Sequence, residues 1–366
     1  MEKKCIVHLP FYIDAERPSG SQIRPLKIIN GFKSIGYEVD VISGYGEERK
    51  LQINSIKDKI KSGVKYDFVY SESSTEPTLL TEKNHIPTHP LLDFSFLNFC
   101  RKRGLKIGLF YRDVYWKFDI YKQMVKPAKR AVAIFNYKYD LYKYKRLLDV
   151  FYLPSIIMYD YIPFKFEGKI EELPPAADLG HEDRTCSREI AHENLKIFYV
   201  GGISSLYNLE LLFEAVKDTE NIELTVCCRE KEWESSKGIY EKFLNDRIKI
   251  IHKSGKDLEP YFENADICSL FFEPNEYRSF AMPVKLFEYI SYKKPILSNI
   301  ETATGDFVEK NNIGWNVEYS KEKLISCLKA IQNSPEELER KKKNVEAILQ
   351  DNTWEARARK VASDLT

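Results

Sequence analysis

Lys285 and Glu288 are the residues whose types and spacing point most directly to chemistry. They lie in the stretch Ser279 to Leu297, which reads Ser-Phe-Ala-Met-Pro-Val-Lys-Leu-Phe-Glu-Tyr and ends in Lys293-Lys294-Pro295-Ile296-Leu297. Pro283 suits the first position of a helix, because its missing N–H would have no intrahelical partner there. Leu286, Phe287 and Ile290 fall at helical spacing on one face, so the helix packs on a sheet. Lys285 and Glu288 then project from neighbouring positions near its start. The free N–H groups around Ala281, Met282, Pro283 and Val284 carry partial positive charge and offer a seat for a phosphate. A cation beside them strengthens such a seat, and a carboxylate adds two hydrogen-bond acceptor oxygens. The plain alternative is a solvent-facing Lys–Glu pair on a helix.

A second feature precedes it in the chain. The strand Leu195–Val200 runs into Gly201-Gly202-Ile203-Ser204-Ser205, and an apolar-faced helix (Asn208–Val216) follows. Strand, glycines and helix make a phosphate-facing turn, although a bare Gly-Gly is a weak signal without a full Gly-x-Gly-x-x-Gly. Ile203, Ser204 and Ser205 supply no cation, so Arg229 (after the strand Glu223–Cys228) and Arg278 join Lys285 as candidates. A surface role for Arg229 is nearly as good a reading. The Ser254-Gly255 turn lies at the end of another strand, Arg247–His252, where its backbone meets a base.

The first half has its own β-α-β start: a strand at Lys4–Leu9, a helix from Gln22 to Ile35 ended by Gly36, and a strand at Tyr37–Ile42. Parallel pairing requires such a crossover. The loop Arg17-Pro18-Ser19-Gly20-Ser21 sits at the carboxyl end of the first strand, where open α/β sheets bind ligands. Gly20 lets a backbone approach closely and Ser21 offers a helix cap; a plain capped loop fits these residues as well. Further strands follow at Tyr66–Ser71 and Leu105–Tyr111, with a helix around Leu91–Arg103 and a long polar loop from Glu72 to Pro90. Arg112-Asp113 closes the fourth strand. A charged pair there is costly unless paired or functional, which makes both residues site candidates beside the alternative of a local ion pair.

The chain has 366 residues, enough for two domains of about 150–200 residues each. Its 43% apolar and 30% charged content is that of a folded globular protein. No apolar run reaches the length of a membrane helix, and the start resembles a first strand rather than a signal peptide. The seven cysteines are scattered, which favours a reducing, cytoplasmic setting and gives no metal framework. The net charge of +1 hides an asymmetry, for Arg101 to Arg146 carries 14 Lys and Arg against 3 acids. Within and just beyond it, Trp116 to Leu148 is rich in Lys, Arg, Tyr and Phe, in the manner of basic, aromatic amphipathic helices that dock on anionic lipid, which makes the stretch 101–146 a candidate membrane face. No nucleic-acid motif accompanies it, and a solvated helix face is the bland alternative. Arg340-Lys341-Lys342-Lys343 reads as a solvated face too.

Pro283-Val284-Lys285-Leu286-Phe287-Glu288-Tyr289, followed by Lys293-Lys294-Pro295-Ile296, resembles the nucleotide-sugar site of GT-B glycosyltransferases, especially retaining family 4 (glycosyl transferases group 1). The resemblance implies an α/β protein of two Rossmann-like domains facing each other across a cleft. It implies an N-terminal, acceptor-binding domain at 1–190 (linker 180–190 included), a nucleotide-sugar domain at 191–350, and a closing helix at 351–366 that crosses back, with Trp354 as its packing anchor. The family signature is Glu-x7-Glu. Its second glutamate, which binds the donor ribose, maps onto Glu288, and its first falls at Phe280. That departure puts the sugar contacts in doubt.

The resemblance further implies a metal-independent transfer, with retention, from a nucleotide-diphosphate sugar (UDP on family grounds) to a glycan or lipid-linked acceptor. The nucleotide sugar is a co-substrate, and no separate cofactor is expected. Gly20, Gly201, Gly202, Ser204, Arg229, Ser254, Arg278, Phe280, Ala281, Met282, Pro283, Val284, Lys285 and Glu288 are the expected donor contacts. Arg112, Asp113 and Lys285 are the expected catalytic groups. Two other readings stay open: a non-catalytic GT-B adaptor, favoured by the missing glutamate and the Ser-Ser turn, and a nucleotide-sugar epimerase.

Overall fold

The computed structural model describes residues 2–14, 20–179, 194–204 and 207–366, with backbone alone at 20, 21 and 120. The chain divides into two compact units, Met1–Pro175 with Trp354–Thr366, and Ala176–Thr353. The division precedes the boundary near 190 read from the sequence, and the polar segment 180–193 lies outside the described residues.

The first unit runs β1 (Lys3–His8), α1 (Gly20–Ser34), β2 (Tyr37–Ile42), α2 (Gly46–Lys61), β3 (Phe68–Glu72), α3 (Leu92–Lys102), β4 (Lys106–Phe110), α4 (Asp119–Met124), α5 (Pro127–Leu147), β5 (Val150–Leu153) and β6 (Lys169–Glu172). Its strands form one parallel sheet in the order β2-β1-β3-β4-β5-β6. The continuous buried run Cys5–His8 reflects a strand covered on both faces, as parallel sheets require.

The second unit repeats the pattern: β7 (Leu195–Val200), α6 (Glu210–Lys217), β8 (Ile222–Cys227), α7 (Glu230–Tyr240), β9 (Ile248–Ile251), α8 (Glu259–Asn264), β10 (Ile267–Ser269), α9 (Val284–Ser291), β11 (Ile296–Asn299), α10 (Ala303–Lys310), β12 (Gly314–Val317), α11 (Lys321–Gln332) and α12 (Pro335–Leu349). Its sheet has the order β12-β11-β10-β7-β8-β9, again all parallel. Strand order reverses beside β7, so the turn after β7 lies at a topological switch point, where such sheets bind ligands.

The closing helix α13 (Trp354–Leu365) belongs to the first unit and lies along α1. Gly31 permits the approach, since a Cβ there would stand 2.6 Å from the Trp354 carbonyl oxygen. Trp354 is buried, and the Arg357 guanidinium donates to the carbonyls of Pro174 and Pro175 at 3.2 and 3.3 Å.

Several sequence expectations change. α1 begins at Gly20, so Ser21 lies within the helix rather than capping it. α2 and α7 escaped the periodicity reading; the buried residues of α2 are Gly46, Arg49, Ile53 and Ile56, too few apolar positions for a visible stripe. The basic, aromatic stretch from Trp116 to Leu148 holds two helices, α4 and α5, with Pro127 at the first position of α5. Lys341 is buried, its ammonium on Asn312 Oδ1 at 2.6 Å, because α12 turns that position toward the preceding turn.

Candidate active site

α9 starts at Val284, with Pro283 one residue earlier at the cap in an extended conformation. Leu286, Phe287, Tyr289 and Ile290 are buried, which fixes the helix on the sheet and leaves Lys285 and Glu288 at the edge of the core. The Tyr289 hydroxyl accepts from Val200 N–H at 3.2 Å and so ties α9 to the end of β7. The helix ends where Lys293 adopts a left-handed φ of 56° and Lys294 N–H bonds back to the Tyr289 carbonyl at 3.0 Å.

This tie brings Lys285 over the glycine turn. Its ammonium donates to Tyr199 Oη at 3.1 Å, and Tyr199 Oη in turn donates to the Gly202 carbonyl. Gly201 has a φ of 153°, and a Cβ there would stand 1.6 Å from Lys285 Nζ. Only glycine serves here, on grounds of both conformation and space. The Lys285 ammonium also faces the rings of Tyr207 and Tyr199 at 4.5 and 4.9 Å, while the Arg278 guanidinium faces Phe272 and Tyr207 at 4.3 and 4.8 Å. Two cations thus share the Tyr207 ring, held by its π-face.

Burial first and the Arg278 charge second lower the Lys285 ammonium to a pKa of about 7, against the pull of Glu288 and Glu232. Burial raises the Glu288 carboxyl, opposed by Lys285 and assisted by Asp178. No ion pair joins Lys285 to Glu288 among the described residues. A cation and a carboxylate are therefore held close without neutralising one another, a combination suited to an anionic ligand that also carries hydroxyls.

The other second-unit candidates divide. Gly201 and Gly202 line the turn, and Glu232 braces it by accepting from Ile203 N–H at 3.3 Å. Ser204 is exposed and bridges to Tyr207; Ser205 lies outside the described residues. Arg229 is 74% exposed at its side chain and bonds Glu232 at 2.6 Å, so its charge is engaged at the surface. Ser254 is exposed and precedes Gly255, whose φ is 57°. Phe280 is buried with its ring edge-on to Tyr277, while Ala281 and Met282 are half-buried leading into Pro283 and Val284. Tyr199, Tyr207, Glu232 and Tyr289 were not singled out by sequence; only Tyr289 had a signal, as the end of the Pro-x-Lys-x-x-Glu-Tyr run.

Gly20, Arg112 and Asp113 belong to the first unit. Gly20 opens α1, and Arg17, Pro18 and Ser19 lie outside the described residues. Arg112 does not pair within its loop. Its guanidinium bonds Glu72 Oε2 at 3.0 Å and the Ser73 carbonyl at 3.2 Å, and burial lowers its pKa. Glu72, fully buried at the end of β3, also takes Arg24 Nε at 3.2 Å and the Tyr70 hydroxyl at 2.7 Å on Oε1. Asp113 Oδ1 accepts from Tyr115 N–H at 2.8 Å and shapes the turn that follows. Sequence reading also missed a buried polar cluster beside β1. His8 bridges Ser71 Oγ at 2.9 Å and Asp93 Oδ1 at 3.0 Å, and Arg49 holds both oxygens of Asp93. All four side chains are buried, so the group braces the fold.

Among the described residues no group of three His, Cys, Asp or Glu is placed to hold a metal ion.

Residues 184–347 match the family model described as "Glycosyl transferases group 1". No curated protein matches the chain in sequence. Solved structures do match in fold. Sucrose-phosphate synthase (tll1590) from Thermosynechococcus elongatus is 12% identical, with a TM-score of 0.62 over 99% of this chain and 98% of that one. Anabaena Alr3699/HepE, solved in complex with UDP-glucose, is 11% identical with a TM-score of 0.61 over 99% of each chain. WaaG, described as a glycosyltransferase involved in lipopolysaccharide biosynthesis, is 14% identical with a TM-score of 0.60 over 99% of each. At these identities the structures establish the fold, and the family match covers the unit that holds Lys285 and Glu288. The chain thus has the GT-B fold, and residues 184–347 of its second half are similar to the glycosyl transferases group 1 family.

Proposed function

We propose that the protein transfers a sugar from a UDP-sugar to a glycan or lipid-linked acceptor, with retention, in the synthesis of a cell-surface polysaccharide or glycolipid. The observation that carries this reading is the Lys285 ammonium held over the Gly201 turn at the start of α9, with Glu288 about one turn further on. Lys285 and the N–H groups of the Ala281–Val284 segment neutralise the charge that grows on the leaving diphosphate, Arg278 adds a second cation nearby, and Glu288 accepts the ribose hydroxyls. The UDP-glucose complex of a protein with the same fold supports UDP as the carrier. Asp113 is the first unit's candidate catalytic residue.

The test is a thermal-shift panel of UDP, GDP, ADP, CMP and their sugar conjugates on wild type and Glu288→Ala. A ligand at about 100 times its dissociation constant adds about 2.7 kcal/mol of stability. Stabilisation by UDP compounds that Glu288→Ala abolishes is the expected result. No response to any nucleotide would overturn the reading in favour of an adaptor, and sugar isomerisation without acceptor would replace it with an epimerase.

A further inference from the structure

The outer side of α5 carries large apolar groups in a row. Phe135 is 71% exposed, Val132 55% and Tyr142 49%, and Met124 at the end of α4 is 70% exposed. Phe135 and Tyr142 are seven residues apart, so they fall on one line of the helix. Lys129, Lys138, Lys145 and Arg146 are exposed around that line. None of these four cations, nor Lys126 or Lys143, makes an ion pair among the described residues. Arg146 and Lys143 instead lie over the rings of Tyr142 and Tyr139 at 4.3 and 5.2 Å.

The charge on this face is of one sign for a structural reason. The single acid of α5, Asp140, points inward, 4% exposed, where its Oδ2 accepts from Thr78 N–H at 2.7 Å. The outer face of α5 therefore combines exposed apolar side chains, tyrosine hydroxyls and unpaired cations, with no carboxylate of α5 among them, while on α4 the exposed Asp119 is paired with Lys122. A second copy of the chain is a poor occupant, because a two-fold contact would set the same unpaired cations against each other. An anionic bilayer matches all three components: acyl chains for Phe135, Val132 and Met124, the interface for tyrosine, and phosphate headgroups for the cations.

We propose that the outer face of α5, extended by Met124, docks on an anionic phospholipid surface. This deepens the function proposed above by naming where the acceptor is met, and it rests on that reading only for the acceptor. Binding to vesicles needs no donor site, so the two proposals fail separately.

The experiment is co-sedimentation of the whole protein with phosphatidylcholine vesicles and with vesicles in which about a third of the lipid is phosphatidylglycerol. The protein is expected to sediment with the anionic vesicles, not the neutral ones, and to be released by salt. Lys138→Glu/Lys145→Glu/Arg146→Glu is expected to lower the partition at least about tenfold. Phe135→Ser/Tyr142→Ser is expected to weaken binding while its salt dependence remains. All five positions are exposed, and an unchanged melting midpoint in each variant confirms folding. Failure to bind anionic vesicles, equal binding to neutral ones, or binding indifferent to both variants would overturn the proposal. So would retention of RNA in place of vesicles, or a Phe135-dependent change of mass in light scattering without an effect on vesicle binding.

Discussion

The Lys285 ammonium occupies the space that a side chain at Gly201 would need, and bonds Tyr199 Oη at 3.1 Å. One residue's missing Cβ is thus the other residue's site. α9 supplies the cation, the turn after β7 supplies its place, and the Tyr289–Val200 bond keeps the two in register.

Gly201→Ala tests that relationship. The lysine end can move aside, but a φ of 153° strains any residue with a Cβ. A loss of about 1–3 kcal/mol is expected, together with loss of UDP-induced stabilisation. Urea unfolding and thermal shift read the two effects. A Gly201→Ala variant that still binds UDP as wild type does would show that Lys285 need not sit there.

Lys285 gives nucleotide binding a pH signature. In the free protein its pKa is lowered to about 7 by burial first and by Arg278 second. A bound diphosphate favours the ammonium, so binding above that pH takes up a proton and affinity falls as pH rises from about 7 to about 9. Without ligand the sign runs the other way. The unfolded lysine, at 10.5, holds its proton longer than the folded one, so stability rises with pH between the two values. Calorimetry in buffers of different ionisation heat measures the uptake, and a Lys285→Met variant with the same uptake would exclude this residue as its source.

Glu72 is expected to be critical for stability. It lies fully buried between the guanidiniums of Arg24 and Arg112, and Arg24 Nη1 is buried without a hydrogen-bond partner among the described residues. Glu72→Ala leaves two cations without their carboxylate and is expected to cost about 3–5 kcal/mol. Tyr70→Phe, which removes one hydroxyl from the same carboxylate, is expected to cost only about 1 kcal/mol. Equal losses in urea titrations would contradict the ranking.

Asp140 makes the opposite prediction. Burial raises its pKa from 3.8 to about 7, opposed by the Thr78 N–H. The folded state then binds the proton more tightly than the unfolded one, so stability falls as pH rises between these values. Asp140→Asn keeps an acceptor for Thr78 and removes the charge. It is expected to stabilise the protein by about 1–3 kcal/mol above neutral pH, with the gain vanishing toward acid. A gain independent of pH would mean that ionisation of Asp140 is not its source.

The sequence by itself determined the repeated strand–helix order, the apolar face of α9 and the placement of Lys285 and Glu288 near its start. These are local properties, carried by a period of two or 3.6 residues and by proline and glycine at element ends. α2, with Ile53 and Ile56 as its buried apolar residues, marks where that signal thins out. Which polar groups meet was decided by tertiary structure alone. Glu72 joins Arg24 and Arg112 across intervals of 48 and 40 residues, and His8 reaches Asp93 across 85. Tyr199 and Lys285, 86 residues apart, meet because α9 packs beside β7. Such partners are set by strand order and by the way helices lie on a sheet, and neither leaves a periodic trace in the chain. The same reason separates Asp140 from the lysines around it: helical rotation turns it inward and them outward, and only the packed sheet says which side is which.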